Sequence, residues 1–567
     1  MGNWFRRARW VLFGLVAPIV PAFAQTQDSA AQELLRQQQR ERGLREQLET
    51  SPDVRLRPSQ APPPAQLPAG EIPCFPISQI RLDGEQAKRF AWALKAADPK
   101  TDPATGRCLG AGGINVVMAR VQNSIVARGF VTTRVLAAPQ DLKTGTLTLT
   151  VIPGRIRFIR FAAGTSRKAA AWNAVPATRG DLLNLRDIEQ ALENFKRVPT
   201  VEVDIQIVPA DGEEAQPGES DLVIAWRQRS PPVRLSVSLD DSGSKITGLL
   251  RGGLTLSLDH LLRWNDLFYA NVSHDVFNGN SKGSRGYTTH YSVPHGYWTL
   301  GATVNGYRYR QTVVGYSQNY VYSGASDNAE VRLSRLVYRD AARKTTFYGR
   351  AWMRKSRSFI DDTEIEVQRR RTGGWELGLT HREHLGASTL DASIAYRRGT
   401  GAFNAMTAPE EDLGEGTSRM KLVTADARLM VPLSLASQRV RYIGNWRAQW
   451  NRTPLVPQDR FSIGGRYSVR GFDGELSLMG ERGWVWRNEL DLPLGAGQEL
   501  YFGADYGHVG GPSTRWLQGR DLAGAVIGVR GGAKGFYWDV FVGTPLFKPE
   551  AFKTGLLVTG FTVSWSH

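Results

Sequence analysis

Val233-Arg234-Leu235-Ser236-Val237-Ser238-Leu239-Asp240 carries an apolar side chain at every second position and a polar or charged one between. Alternate residues of a strand face opposite sides, so this octet has one apolar and one wet face. The same period of two recurs in Phe268, Ala270 and Val272; in Trp298, Leu300, Ala302 and Val304; in Phe536, Trp538, Val540 and Val542; and in Phe561, Val563 and Trp565. Turn-forming clusters such as Asn278-Gly279-Asn280-Ser281 separate the runs, and between Ile394 and Gly401 a strand gives way to glycine. At roughly 20 residues per strand and connection, the ~335 residues from Val233 onward make about 14 to 18 antiparallel strands of a membrane barrel. A soluble sandwich or propeller would instead show a repeat with aromatic cores and no lipid-facing band.

The bulk numbers agree with this reading. The 567 residues are 41% hydrophobic, with 59 glycines, 17 tyrosines and 16 tryptophans. The mean hydropathy of −0.32 does not exclude a membrane protein, because in a barrel every second side chain faces water and hides the lipid-facing half. The net charge of +17 suits nucleic acid, lipopolysaccharide or a polycationic pore interior. No nucleic-acid motif stands in a structural context, so the pore interior is the expectation.

Further along, Val469-Arg470-Gly471-Phe472 sets one guanidinium among Val, Gly and Phe. Gly471 permits a sharp turn, and the apolar neighbours pack while the charge is carried into a confined place. Such a tip needs an anionic seat, and Phe502-Gly503-Ala504-Asp505-Tyr506-Gly507 offers one: a lone Asp among aromatics and glycines, where small residues admit another backbone. At these two motifs the chain resembles the outer-membrane translocation and assembly superfamily, in which a V-R-G-F loop folds back into a β-barrel and meets a G-x-D-x-G strand. The resemblance implies that Arg470 is the loop-tip cation and Asp505 its partner on the wall. Val469, Gly471, Phe472, Phe502, Gly503 and Gly507 are the matching motif positions.

Residues 1–24 read as a secretory signal: Arg6, Arg7 and Arg9, an apolar run from Trp10 to Val20, then Ala22-Phe23-Ala24. The run is shorter than the ~20 residues a spanning helix takes. Residues 25–50 favour helix but are thinly apolar, with Leu34, Leu35, Leu44 and Leu48 nearly alone. Such a helix suits bulk water or a hydrated lumen. Residues 51–71 hold Pro52, Pro58, Pro62, Pro63, Pro64 and Pro68, the composition of an extended, semi-rigid linker of ~3 Å per residue.

Residues 72–154 read as a compact α+β unit of β-α-α-β-β order, with an amphipathic helix from Ile114 to Ala127 and strands from Val131 to Leu136 and Thr146 to Ile152. Cys74 and Cys108 are the only cysteines. In an oxidising compartment they read as one disulfide, worth about 3–4 kcal/mol by the chain-entropy model. Residues 155–229 repeat the order, with a helix from Leu185 to Val198. Both units resemble the POTRA domain, the second through Asp187-Ile188-Glu189-Gln190-Ala191-Leu192 followed by Pro199. Residues 230–567 are the barrel with its inward-folded loop.

A polar helix, a proline linker, two POTRA domains and a barrel with the V-R-G-F loop together resemble the transporters of two-partner secretion. The resemblance selects 16 strands and implies a helix that plugs the barrel. It implies an outer-membrane protein with periplasmic POTRA domains. These capture an unfolded, large secreted partner, an adhesin, haemolysin or contact-dependent inhibition toxin, and export it without ATP. Outer-membrane lipid and lipopolysaccharide are the other expected partners. An assembly factor that inserts other barrel proteins is the alternative, though such factors usually carry more POTRA copies. The last residues, Trp565-Ser566-His567, depart from the terminal Phe or Trp common in outer-membrane barrels.

No enzymatic site is expected. His381-Arg382-Glu383-His384 sets two imidazoles three apart, but on a strand such positions face opposite sides. No nucleophile elbow, zincin helix or P-loop occurs, and neither a metal nor a cofactor is expected. Arg369-Arg370-Arg371 suits a solvated loop, a channel wall or lipopolysaccharide phosphates.

Overall fold

The structure is a computed structural model that describes residues 21–49, 52–56, 66–166, 168–278, 282–314, 318–435 and 438–567. Most of the expected signal segment and the middle of the proline linker lie outside these residues.

Sixteen antiparallel strands, from Val233–Asp240 to Val558–Ser566, close into a barrel, and a two-residue hairpin, Thr363–Glu364, decorates one loop. The first strand pairs with the last, Trp565 opposite Val237. Closure leaves no unpaired strand edge, which hydrocarbon would not tolerate. The period-two pattern sorts side chains as expected: Val237, Leu254, Val272, Leu300 and Val540 are exposed on the outer wall. Inward positions carry charge, including the ion-paired Arg350 and Glu376. At the seam His567 exchanges two backbone hydrogen bonds with Leu235 and stacks on Trp565 at 5.9 Å. The terminal His thus keeps the register of a terminal aromatic. Among the described residues no helix is long and apolar enough to cross a membrane.

The helix Pro21–Leu48 runs inside the barrel. Its buried apolar residues Ala31, Leu34 and Leu35 make only a small dry patch. Its remaining anchors are polar. Arg45 pairs with Glu330 at 2.8 Å, Tyr269 donates to Glu49 at 2.7 Å, and Arg40 reaches the Ser242 carbonyl at 3.2 Å. The helix therefore has enough anchors to sit in one place, yet it is a plug whose contacts water can replace.

The first α+β domain packs helix Ala111–Ala127 against a sheet of Gln79–Asp83, Thr146–Ile152 and Arg134–Leu136. A separate pairing of Phe75–Ile77 with Arg107–Leu109 carries the Cys74–Cys108 disulfide. The first helix of the expected β-α-α-β-β order is broken into Ala87–Phe90, a 3-10 turn Ala91–Ala93 and Leu94–Ala97.

The second domain corrects two expectations. It has one helix, Leu185–Lys196, against strands Arg155–Phe161, Glu219–Gln228 and Val201–Pro209, not the two helices of a repeated β-α-α-β-β order. Residues 162–166 and 168–184 form a loop in place of the first helix, with local turns of its own such as Thr178 to Asp181 and with side chains that also bond to the barrel. The buried Asn173 donates to the Trp264 and Pro294 carbonyls, and Asn265 donates to Asn173 and to the Ala170 carbonyl. Second, the linker expected to be extended and semi-rigid is docked at its described ends. Val54 and Leu56 pack against the second domain's core, and Leu67 is buried in the first.

Glu71 closes the linker by accepting the N–H groups of Gly110, Gly112 and Gly113 at the helix N-terminus, at 2.7–2.9 Å. Desolvation works upward on its carboxyl, but these three donors outweigh it and hold it below the ordinary glutamate range. A carboxylate depressed on folding stabilises above its unfolded pKa and loses that contribution as pH falls through the folded value. Glu71→Gln, with one acceptor oxygen where there were two, is therefore expected to speed amide exchange at Gly110, Gly112 and Gly113 at pH 7. In the unsubstituted protein the same speeding should come only in acid, below about pH 4.5. Equal exchange in both proteins at neutral pH would show that the cap is idle.

Candidate functional site

Between barrel strands Gln438–Asn451 and Arg482–Gly495 the chain turns into the lumen instead of bridging the rim. A short hairpin of Phe461–Ile463 and Leu478–Gly480 stiffens this loop. Its tip is Val469 to Phe472. Val469 and Phe472 are buried with Ile463, Val509 and Leu522, and Phe472 meets Phe552 edge-on at 5.6 Å. This apolar cluster fixes the tip so that the guanidinium between them has one direction to take.

Arg470 uses all three guanidinium nitrogens. Nε donates to Asp505 Oδ2 at 2.7 Å and Nη2 to Oδ1 at 2.8 Å, a bidentate pair, while the Arg470 backbone N–H adds a third bond to Oδ2 at 3.0 Å. Nη1 donates to Glu489, and Nη2 also reaches the Asn488 carbonyl at 3.2 Å. The Asp505 carboxylate is fully buried and Arg470 nearly so. Arg487 lies 3.9 Å from Asp505, and Arg530 holds the other oxygen of Glu489 at 2.9 Å. Planar, bidentate geometry of this kind is what guanidinium supplies and ammonium does not.

The wall is built to admit the loop. Gly471 takes a left-handed φ of +96°, and a Cβ there would lie 2.4 Å from the Thr544 carbonyl. A Cβ on Gly524 would stand 1.9 Å from the Arg470 carbonyl oxygen, one on Gly503 2.4 Å from Arg470 Nη2, and one on Gly507 2.8 Å from Val469 Cγ2. The motif glycines thus form a slot. Phe502, by contrast, points outward to the lipid side, as alternation from the inward Gly503 requires. Gly524→Ala is expected to push the tip off the wall and cut transport activity about tenfold, an overpacking effect of ~1–3 kcal/mol. Gly301→Ala, where a Cβ meets only ordinary contacts, is the control. Similar activity in both variants would mean that the slot has slack.

Sequence reasoning missed Glu489, Arg530, Gly524 and Gly543. Glu489 stands directly opposite Gly503 in the register, and its signal was the inward alternation Arg487, Glu489, Asp491. The two histidines separate as expected of a strand: His381 Nδ1 lies 2.8 Å from Thr345 Oγ1, and His384 Nε2 lies 2.9 Å from Asp53. Arg370, in the triple-arginine run, is nearly buried and pairs with Glu410. Among the described residues no cluster of His, Cys, Asp and Glu is arranged to hold a metal.

Below the loop and around the helix lies an aqueous cavity of about 1240 Å³. Its walls include Arg197 and Gln190 from the second domain and Arg332, Arg447 and Arg487 from the barrel.

The model of the haemolysin secretion/activation protein family ShlB/FhaC/HecB matches residues 218–531, more than half of the chain. The chain belongs to this family. A ShlB-type POTRA model matches 75–154 and a second POTRA model 155–209. The chain is 36% identical over 560 residues to the outer membrane transporter CdiB-2 of Burkholderia pseudomallei (strain 1026b), covering 94% of each. It is 29% identical to the outer membrane transporter CdiB of Dickeya dadantii (strain 3937), covering 98% of each. Among solved structures, CdiB from Acinetobacter baumannii superposes with a TM-score of 0.82 at 34% identity, over 95% of this chain and 99% of that one. The ShlB/FhaC/HecB chain is thus an outer-membrane transporter of two-partner secretion, with a plugged 16-stranded barrel and two POTRA domains.

Proposed function

We propose that this transporter takes a large, unfolded exoprotein from the periplasm through its POTRA domains and passes it out through the barrel, with folding outside making the passage irreversible and no ATP consumed. The observation that carries the reading is the lumen itself. A polar helix runs through it, an inward loop is fixed at a buried Arg470–Asp505 pair, and the second POTRA domain is bonded to the periplasmic turns at Trp264, Pro294 and Gly296. A static pore would need none of these. Helix removal opens a wet path, and the domain at its mouth presents chain to it. Small sheets with an open edge accept extended backbone independently of sequence, and side-chain pockets add recognition.

By resemblance the cargo is an adhesin, a haemolysin or a contact-dependent inhibition toxin. Arg470 is the cation that holds the loop, with Asp505 and Glu489 as its seat. The outer wall meets lipid, and the loops beyond it meet lipopolysaccharide. The test is secretion of a candidate large exoprotein, with and without the chain. Appearance of the exoprotein in the medium only when the chain is present supports export. Loss of other barrel proteins from the outer membrane on depletion of the chain, with secretion untouched, would replace export by an assembly role.

A further inference from the structure

Six residues past the plug helix, the linker is held in a site of unusual economy. Val54 and Leu56, two apart on an extended backbone, turn their side chains to the core of the second POTRA domain. Their main-chain groups are all read by side chains. The Val54 N–H donates to Glu193 at 3.1 Å and the Leu56 N–H to Glu189 at 2.7 Å. The Val54 carbonyl accepts from Arg339 at 2.6 Å and the Leu56 carbonyl from Arg186 at 3.3 Å. Glu189, Glu193 and Arg186 come from the domain's helix, whereas Arg339 comes from the periplasmic end of the barrel strand Asn319–Arg339.

Three features separate this arrangement from an ordinary clamp. First, every polar contact to Val54 and Leu56 is to backbone, and of the described residues beside them Asp53 lies 2.9 Å from His384 while Arg55 reaches only Asp53, at 3.9 Å. Such a site accepts any extended segment with apolar residues at alternate positions. Second, the cradle is complete without the linker. Glu189 is bonded by Arg186 at 2.6 Å and by Arg339 at 2.9 Å, and Glu193 by Arg339 at 3.0 Å and Lys344 at 2.9 Å. Departure of the linker strands no buried charge, so an exchange of one peptide for another avoids the penalty that unpaired ions impose. Third, the cradle opens on the lumen: Pro52, Gln190 and Glu193 line the same cavity as Arg45 and Glu49 of the plug. A segment seated there lies at the pore entrance.

We propose that this cradle is an entry site for an extended, alternately apolar segment of the exported chain, and that the linker occupies it as an internal stand-in while the pore is plugged. Arrival of the partner displaces Val54 and Leu56, which frees the C-terminal tether of the plug helix. Entry and unplugging are then one exchange. The proposal rests on the export reading and adds to it a site and a class of ligand.

The experiment uses the full-length transporter in detergent, unsubstituted and as the double variant V54S/L56S, which vacates the cradle without shortening the linker. Fluorescent peptides are titrated by anisotropy: residues 50–60 of this chain, a peptide alternating valine with serine, and a glycine-serine peptide of the same length. The first two should bind V54S/L56S and bind the unsubstituted protein at least about tenfold more weakly, because a tethered competitor acts at an effective concentration near millimolar. The glycine-serine peptide should bind neither. A photoreactive residue introduced as Thr346→p-benzoylphenylalanine in V54S/L56S, on the wall of the same cavity, should capture the bound peptides, which keeps the result readable without replacing a residue of the cradle. Equal affinity for both proteins, equal binding of the glycine-serine peptide, or no binding by V54S/L56S overturns the proposal. Secretion measured alongside separates the two readings. A transporter that secretes but binds no peptide loses the cradle and keeps export, and one that binds peptide but secretes nothing does the reverse.

Discussion

Arg470→Ala is expected to abolish export while the barrel still reaches the outer membrane. The substitution removes the bidentate partner of a fully buried carboxylate together with a bond to Glu489. Breaking such a buried pair from one side costs ~3–5 kcal/mol, because the remaining charge is left without its match. Glu489 keeps Arg530, so the stranded group is Asp505. Arg487, at 3.9 Å, is near enough to swing in, and any residual activity in Arg470→Ala should therefore vanish in R470A/R487A. Arg470→Lys should not restore export, since an ammonium cannot span both oxygens of Asp505 and Glu489 in one plane. The readouts are exoprotein in the medium and heat-modifiable, folded barrel in the membrane fraction. Normal secretion by Arg470→Ala would mean that the loop is held by its apolar cluster alone. The barrel itself survives because its strand pairing does not involve the tip.

Deleting residues 29–49 is expected to raise ion conductance in planar bilayers by about tenfold or more, the change for a plug resident in roughly nine channels of ten. The described part of this segment is held in the lumen through contacts that are individually modest. Hydrogen bonds such as Tyr269 to Glu49 and Arg45 to Glu330 contribute about 0.5–3 kcal/mol net each, and water or other lumen charges compensate when they break. The apolar patch of Ala31, Leu34 and Leu35 is small, so little hydrophobic burial opposes exit. The helix also touches the inward loop, Arg36 donating to the Gly474 carbonyl at 2.5 Å. Conductance of the deleted form should therefore be noisier than that of a rigid pore as well as larger. Unchanged current would place the conduction barrier in the loop and not in the helix.

The barrel was legible in the sequence because a membrane wall imposes one rule on every strand, and runs such as Val233 to Asp240 obey it without exception. The lock was half legible. Arg470 stands out as a charge among Val, Gly and Phe, and Asp505 as the one acid among glycines and aromatics. Glu489 did not stand out, because inward strand positions are charged throughout and alternation alone does not say which acid lies opposite Gly503. Nor could local pattern show that Gly524 and Gly543, remote in the chain, share a slot with Gly471. The second domain's first helix was expected from its sister's order. Its replacement follows from Asn173, whose partners lie on the barrel more than 90 residues away. The linker misled through composition: its prolines announce a tether, while the alternation of Val54 and Leu56 is too brief to register as a strand.

The seam of the cylinder joins the opening strand, Val233–Asp240, to the closing one, Val558–Ser566, whereas hook and slot both come from residues 461–552. The gate can therefore be set while the sheet is still an unrolled ribbon. The bulky, charged tip never has to be pushed through a finished hoop. A chain interrupted before its last strand, Val558–Ser566, would already own its latch, and only the zipper would be missing.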